Sequence, residues 1–286
     1  MEVVTSPAVI QTLAQEYRAQ GLSIALVPTM GWFHDGHLAL MRRARSLADR
    51  VIVTLFVNPI QFGPNEDLGS YPHDLERDRT LAEATGVDLI FAPEKGSMYP
   101  KGFASTVSIK GLTSSLCGAS RPGHFDGVTT VVSKLFNLTL PHFAVFGEKD
   151  FQQLAVIRRM QQDLDFPVSI VGHPIVREKN GLAMSSRNSN LRKDEQEAAL
   201  SLSRSIHAAK KLFAENGSSE VSVEEVKNIV LKTIVKHKEC NVDYIEIVDR
   251  ESLKPCTLVN CDSILVLAVK INDRVRLIDN SILIES

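Results

Sequence analysis

Cysteine is scarce in this chain. Cys117, Cys240, Cys256 and Cys261 are the only four in 286 residues, with no CxxC pair and no histidines at ligand spacing. Neither a zinc site nor a disulfide framework is indicated, and thiols kept reduced in a cytoplasm are the expectation. Charge of one sign is missing too. The formal net charge of −2 gives no electrostatic case for nucleic acid or an anionic membrane as partner. No apolar run approaches the ~18 residues of a spanning helix. The start, with Glu2 and no basic stretch before an apolar block, does not resemble a signal peptide. There is no repeat, low-complexity tract or long linker.

With those classes set aside, 44% hydrophobic and 23% charged residues describe an ordinary globular protein, long enough for one large or two modest domains. Up to about residue 175, strand-like and helix-like segments alternate, which predicts a mainly parallel sheet with helical crossovers. Helices are expected at Ala8–Arg18, after Gly36, and at Leu75–Ala84, Thr129–Leu138 and Phe151–Leu164. Strands are expected at Ile24–Val27, Val51–Val57, Val87–Phe91, His142–Phe146 and Val168–Val171. The texture then changes. Two helices, about Asp194–Glu215 and Val223–Lys236, flank a turn at Gly217–Ser219, and strands follow at Val242–Val248, Ile264–Val269 and Val275–Ile278. The fold class is therefore α/β: a Rossmann-like parallel-sheet domain over 1–176 and a smaller α+β domain over 177–286.

The segment SIALVPTMGWFHDGHLALMRRA, Ser23–Ala44, is the most informative. A short apolar strand runs into a tight turn and then a helix, and His34 and His37 sit at that junction. Three residues apart at a helix start, the imidazoles face the same way, beside unpaired N–H groups that welcome phosphate. Gly31 and Gly36 let a nucleotide approach the backbone. Such an HxGH element suits attack on a nucleotide α-phosphate, although two loop histidines can also be merely solvated.

Four further clusters fall at strand ends or in the interdomain loop, where open α/β sheets bind ligands. In FVNPIQFG, Asn58 and Gln61 either recognise a small polar substrate or satisfy loop backbone. In CGASRPGHFDGVTTVV, Arg121 and His124 either meet anions or belong to an exposed loop. In FGEKDFQQL, Lys149 lies at a helix start, where a cation is disfavoured unless an anion binds. Asp150 is placed there to cap the helix, and Gln153 follows one turn later. In GLAMSSRNSNL, two serines and an arginine could clamp phosphate.

Five motifs in this order, PTMGWFHDGH, FVNPIQFGPNEDLGSYP, GASRPGHFDGV, FGEKDFQQL and REKNGLAMSSRN, closely resemble the pantoate–β-alanine ligase family of the HxGH nucleotidyltransferase superfamily. The match is dense over about residues 23–190 and looser beyond. The Ser/Arg loop resembles the KMSKS-type loop of class I aminoacyl-tRNA synthetases. The resemblance implies ATP-dependent, Mg²⁺-requiring condensation of pantoate with β-alanine through a pantoyl adenylate, in a cytoplasmic homodimer. Met30, Gly31, Trp32, Phe33, His34, Asp35, Gly36 and His37 would hold ATP, with His37 the proton donor and His34 and Lys149 assisting catalysis. Gly147, Glu148, Lys149 and Asp150 would line the same site, which Val176, Met184, Ser185, Ser186 and Arg187 would complete. Gln61 and Gln153 would bind pantoate. Asp78 falls near magnesium-associated acids of some members. The smaller domain would close over the site.

Trp32 and Phe33 replace a small residue and leucine usual in the family, Phe151 a tyrosine, Cys117 an acid and Asp126 an arginine. None removes a group that the chemistry requires. Two rivals remain at this point: another HxGH nucleotidyltransferase that stops at a nucleotide product, and a catalytically silent nucleotide-binding protein. Gln61 and Gln153 argue against the first, and the presence of His34, His37, Lys149 and Arg187 argues against the second.

Overall fold

The computed structural model describes residues 1–64, 66–216 and 221–284. By internal packing the chain divides into two compact units, Met1–Glu148 with Gln153–Pro174, and Lys149–Gln152 with Ile175–Ser286. Lys149–Gln152, Ile175 and Val176, expected in the first domain, group with the second unit. The turn expected at Gly217–Ser219 lies outside the described residues.

The first unit is built on strands β1 (Glu2–Val4), β2 (Ile24–Val27), β3 (Arg50–Thr54), β4 (Leu89–Phe91), β5 (Phe143–Gly147) and β6 (Ser169–His173). They form one sheet in the order β1-β4-β3-β2-β5-β6, every pair parallel. Its helices are α1 (Pro7–Ala19), α2 (Asp35–Arg45), α3 (Leu75–Ala84), α4 (Lys95–Met98), α5 (Leu116–Ser120), α6 (His124–Thr139) and α7 (Phe151–Asp163).

Parallel strands need helices over both faces, and the sequence of β2 shows why they are supplied. Ile24 and Leu26 join a core with residues of α1, α6 and α7, while Ala25 and Val27 join a second core with residues of α2 and α3. All four are fully buried, so the run IALV reads as continuously apolar instead of alternating. The α/β expectation holds. β1 has no counterpart among the expected strands: three residues carry no readable period, and Val3 becomes a strand by register opposite Ile90.

The order of the strands reverses at one place. From β2 the chain winds outward through β3 and β4, then returns to lay β5 on the other side of β2, pairing Ala25 with Phe143 and Leu26 with Ala144. Loops leaving the C-terminal ends of β2 and β5 therefore start side by side, at the position where open α/β sheets place ligands.

The second unit carries α8 (Gln196–Asn216) and α9 (Val223–Ile234) packed on an antiparallel sheet of β7 (Cys240–Asp249), β8 (Ser263–Ile271) and β9 (Val275–Ser281). Ser222 begins α9 with a reciprocal capping box: its hydroxyl accepts from the Glu225 N–H, and the Glu225 carboxylate accepts from the Ser222 N–H. The four cysteines carry free thiols. Among the described residues no helix is long and apolar enough to cross a membrane.

Candidate active site

The turn after β2 is held by its own hydrogen bonds. At the strand's exit the Thr29 N–H donates to the Thr54 hydroxyl at 3.1 Å, and the Thr29 hydroxyl accepts from the Gly31 N–H at 3.1 Å. Gly31 has φ +89°, and a Cβ there would sit 3.1 Å from the Asp78 carboxylate. Trp32 also takes positive φ, at 53°, a conformation that costs a bulky residue energy and needs outside support. Asp78 gives that support. Fully buried on α3, it accepts the Trp32 and Phe33 N–H groups, both at 2.7 Å. Its neighbour Arg77 donates to the Phe33 carbonyl at 2.8 Å and lays its guanidinium 4.7 Å from the Trp32 ring centre. Burial pushes the Asp78 pKa up, against the pull of the two amides and of Arg77.

The two histidines follow at once. His34 is the N-cap of α2, accepting the Gly36 N–H on Nδ1 at 3.2 Å, while the His34 N–H points to Nδ1 of His37 at 3.4 Å. Their rings lie 4.1 Å apart, centre to centre, tilted by 36°. A neutral imidazole whose Nδ1 accepts carries its proton on Nε2. Both rings are thus set as Nε2 donors at a helix N-terminus, where partial positive charge is already concentrated.

Beside this turn, Gly147 and Glu148 leave β5. The next residues, Lys149 and Asp150, belong to a short 3-10 turn that runs into α7 without a break, and Asp150 lies 3.6 Å from the Lys149 ammonium. That carboxylate partly answers the misplaced cation at the helix start. Gln153 lies in the first turn of α7 and is half-buried.

The loop after β3 holds Gln61. Asn58 is buried and fully engaged: its amide donates to Gln61 Oε1 and to the Gly127 carbonyl, each at 3.0 Å, and its oxygen accepts from Tyr99 at 2.7 Å. Asn58 is thus loop architecture. Gln61 Nε2 meets the Met30 sulfur at 3.2 Å, linking the pantoate candidate to the turn after β2. Gly127 is required here, since a Cβ would lie 2.5 Å from the Ile60 carbonyl and 2.6 Å from Gln61 Cα. Arg121, which could have met an anion, instead pairs with Glu66 at 2.8 Å and donates to the Gln61 carbonyl at 3.4 Å. His124 Nδ1 lies 2.8 Å from the same carbonyl.

In the second unit, the chain reverses between Val176 and Met184. Met184 N–H donates to the Val176 carbonyl and Glu178 N–H to the Leu182 carbonyl, at 2.9 and 2.8 Å. Ser185 then caps a 3-10 turn over Ser186–Asn190 by accepting the Arg187 N–H at 3.2 Å. Asn188 ties this turn back to Glu178 at 2.7 Å and to the Ala183 carbonyl at 3.1 Å. Arg177 forms a two-point ion pair with Asp279 on β9, and Asn280 donates to the Lys149 carbonyl. Sequence reasoning missed both β9 residues, whose one signal is a polar pair ending an apolar strand.

Among the described residues no group of three or more His, Cys, Asp or Glu side chains could hold a metal ion. Asp78, the expected magnesium-associated acid, has each carboxylate oxygen on a backbone amide.

Known proteins place these motifs in context. The family model described as pantoate-beta-alanine ligase matches residues 2–282. A pantothenate synthetase of Geobacter sulfurreducens is 53% identical over 283 residues, 99% of each chain. The crystal structure of pantothenate synthetase from Thermus thermophilus superposes with a TM-score of 0.92 at 43% identity, covering 99% of both chains. A pantoate-beta-alanine ligase from Francisella tularensis, complexed with beta-gamma ATP and beta-alanine, gives 0.79 at 33% identity over 99% of this chain and 98% of that one.

Proposed function

We propose roles for the residues of this site from one premise: the chain belongs to the pantoate-beta-alanine ligase family. It is an AMP-forming ligase that joins pantoate to β-alanine with ATP through a pantoyl adenylate. In the first step a pantoate carboxylate oxygen attacks the α-phosphorus, and the bond to the β-phosphate oxygen breaks to release pyrophosphate. In the second, the β-alanine amine attacks the acyl carbon, loses a proton, and AMP leaves with the bridging oxygen.

A carboxylate with pKa near ~4 is already ionised at neutral pH, so no general base is needed for adenylation. The difficulty is bringing two anions together and stabilising the charge that develops on departing pyrophosphate. The observation that carries the assignment is the adjacent pair His34 and His37 at the start of α2, each with Nδ1 on a backbone N–H, which leaves Nε2 to carry the proton. His37 is the donor to the phosphates during adenylation, with His34 and Lys149 assisting. Met30 to His37, Gly147 to Asp150, Val176 and Met184 to Arg187 are the nucleotide contacts. Gln61 and Gln153 bind pantoate, and the Met30–Gln61 contact supports a shared boundary of the two subsites.

Magnesium, brought with ATP, would supply charge neutralisation on the phosphates. Asp78 fastens the turn through the Trp32 and Phe33 amides. A cytoplasmic homodimer is the assembly and location in keeping with the family resemblance.

Omitting ATP, pantoate and β-alanine in turn, and following pyrophosphate and AMP separately, tests the reading. AMP release should require the amine, and amine-independent AMP release would overturn the ligase assignment. His37→Ala should slow pyrophosphate release, and His37→Gln less, since glutamine keeps a donor. Given preformed pantoyl adenylate, both variants should make pantothenate at a near-normal rate. A large defect there would show that His37 also serves amine attack.

A further inference from the structure

β9 carries two buried polar side chains in succession, Asp279 at 3% and Asn280 at 6% exposure. Successive strand residues project to opposite faces. Asp279 continues the face of Val275 and Leu277, which lie in the core, and Asn280 takes the other. Buried polar groups persist where hydrogen bonds satisfy them, so the partners say what the strand is holding. Asp279 takes both guanidinium nitrogens of Arg177, at 2.7 and 2.9 Å, and Arg177 also donates to the Gly181 carbonyl at 3.1 Å. One carboxylate on the sheet therefore fixes the reversal that sets Met184 against Val176. Asn280 donates its N–H to Asp279 Oδ1 at 2.8 Å and its side-chain amide to the Lys149 carbonyl at 2.9 Å. Arg177 and Lys149 lie 102 and 131 residues away from their β9 partners in sequence.

We propose that Asp279 and Asn280 are a positioning pair for adenylate formation, fixing from one strand both the peptide that carries Lys149 and the root of the Met184–Arg187 loop. The inference rests on the reading that those two segments meet the nucleotide. Both β9 residues act through the segments they hold. Asn280 acts by fixing the backbone from which the Lys149 side chain extends, and Asp279 by orienting Arg177 and, through its own carboxylate, the Asn280 backbone. Small displacements of a charge-stabilising group cost rate heavily, because the stabilisation depends on geometry already in place.

The test is Asn280→Ala in the full-length enzyme, assayed by pyrophosphate release at varied ATP. Its kcat/KM for ATP should fall about 10- to 100-fold, the order expected for misplacement by an ångström or less. Turnover of preformed pantoyl adenylate should stay within about two-fold, because that step no longer needs the charge on pyrophosphate stabilised. Val269→Ala, a core change in the same sheet, controls for lost stability and should leave the ATP dependence alone. Arg177→Lys, which keeps the charge but not the two-point geometry, should reproduce a milder form of the defect. In a Lys149→Ala background, Asn280→Ala should add little, since both act through one side chain. Unchanged ATP kinetics in Asn280→Ala, an equal defect in Val269→Ala, or full additivity with Lys149→Ala would each overturn the pair. If Lys149→Ala cripples adenylation and Asn280→Ala does not, the positioning role fails while the reading of Lys149 stands. If Lys149→Ala is harmless, both fail.

Discussion

The turn over residues 28–34 and the loop over residues 176–190 carry most of the groups assigned to ATP, and they are held in opposite ways. The turn is fastened by buried main-chain bonds: the Thr29–Thr54 exchange, and two amides on the fully buried Asp78. The loop hangs on charged side chains that reach back from elsewhere, Arg177 to Asp279 and Arg274 to the Asn190 carbonyl and Glu195. Both anchors include a carboxylate, but burial raises the pKa of Asp78 while hydrogen bonds lower that of Glu195, so acid acts on the two with opposite sign. On the roles proposed for them, the two segments therefore respond to charge and acid in different ways.

The largest expected effect is Lys149→Ala. If its ammonium meets the phosphates, adenylation should slow by about 10²–10³, some ~3–4 kcal/mol of transition-state stabilisation, with Tm unchanged. Near-wild-type pyrophosphate release would remove Lys149 from the charge-bearing groups. Next comes Asp78→Ala, which strands the Trp32 and Phe33 amides inside the protein. It should lower stability by about 3 kcal/mol as well as abolish activity, in contrast to Lys149→Ala. A stable, active Asp78→Ala enzyme in denaturant titration and turnover assays would mean that the turn needs no fastening. Gln61→Ala should weaken pantoate by about 1–3 kcal/mol in KM while ATP changes little. Equal weakening of both substrates would point to collapse of the loop that Asn58 and Arg121 support.

Acid gives the smallest and most selective contrast. Glu195 is held down to about 2 from 4.5, chiefly by the Arg192 backbone N–H and then by the Asn272 amide, with Arg274 and Arg192 adding to them against burial. A lowered folded-state pKa means that this carboxylate stabilises the second unit above the unfolded value. The contribution is lost as pH falls from 4.5 towards 2. Asp78 has the opposite sign: with its pKa raised, its titration favours the fold below the unfolded value and disfavours it as pH rises through the folded one. Hydrogen exchange at falling pH should therefore loosen residues 186–195 before 29–34, and Glu195→Gln should flatten that dependence. Simultaneous loosening of both segments would show that the two anchors are not separable.

Much of this was legible without coordinates. The run IALV before PTMGWFHDGH is a fully buried strand followed by a turn and a helix, and His34 and His37 stand side by side at its start. Repetition of short apolar strands between helical stretches encodes a parallel sheet, since both faces must be covered. The ends were less secure. Val51–Val57 stops as a strand at Thr54, because Phe56 to Gln61 turn away to form the loop around Asn58. The helix expected from Thr129 begins at His124.

Taken alone, then, the sequence determined the fold class, the family, and the residue types at each strand end, because periodicity and motif spacing are local properties of the chain. Tertiary structure decided which polar side chains hold the frame. Asn58, Asp78, Arg121 and Asp279 look as available for chemistry as Gln61 or Lys149 when read in one dimension. Each has a partner tens to more than a hundred residues away, and Lys149 itself is held by Asn280, 131 residues on. A hydrogen bond is made where folding brings donor and acceptor within reach, and that distance is written in no local pattern.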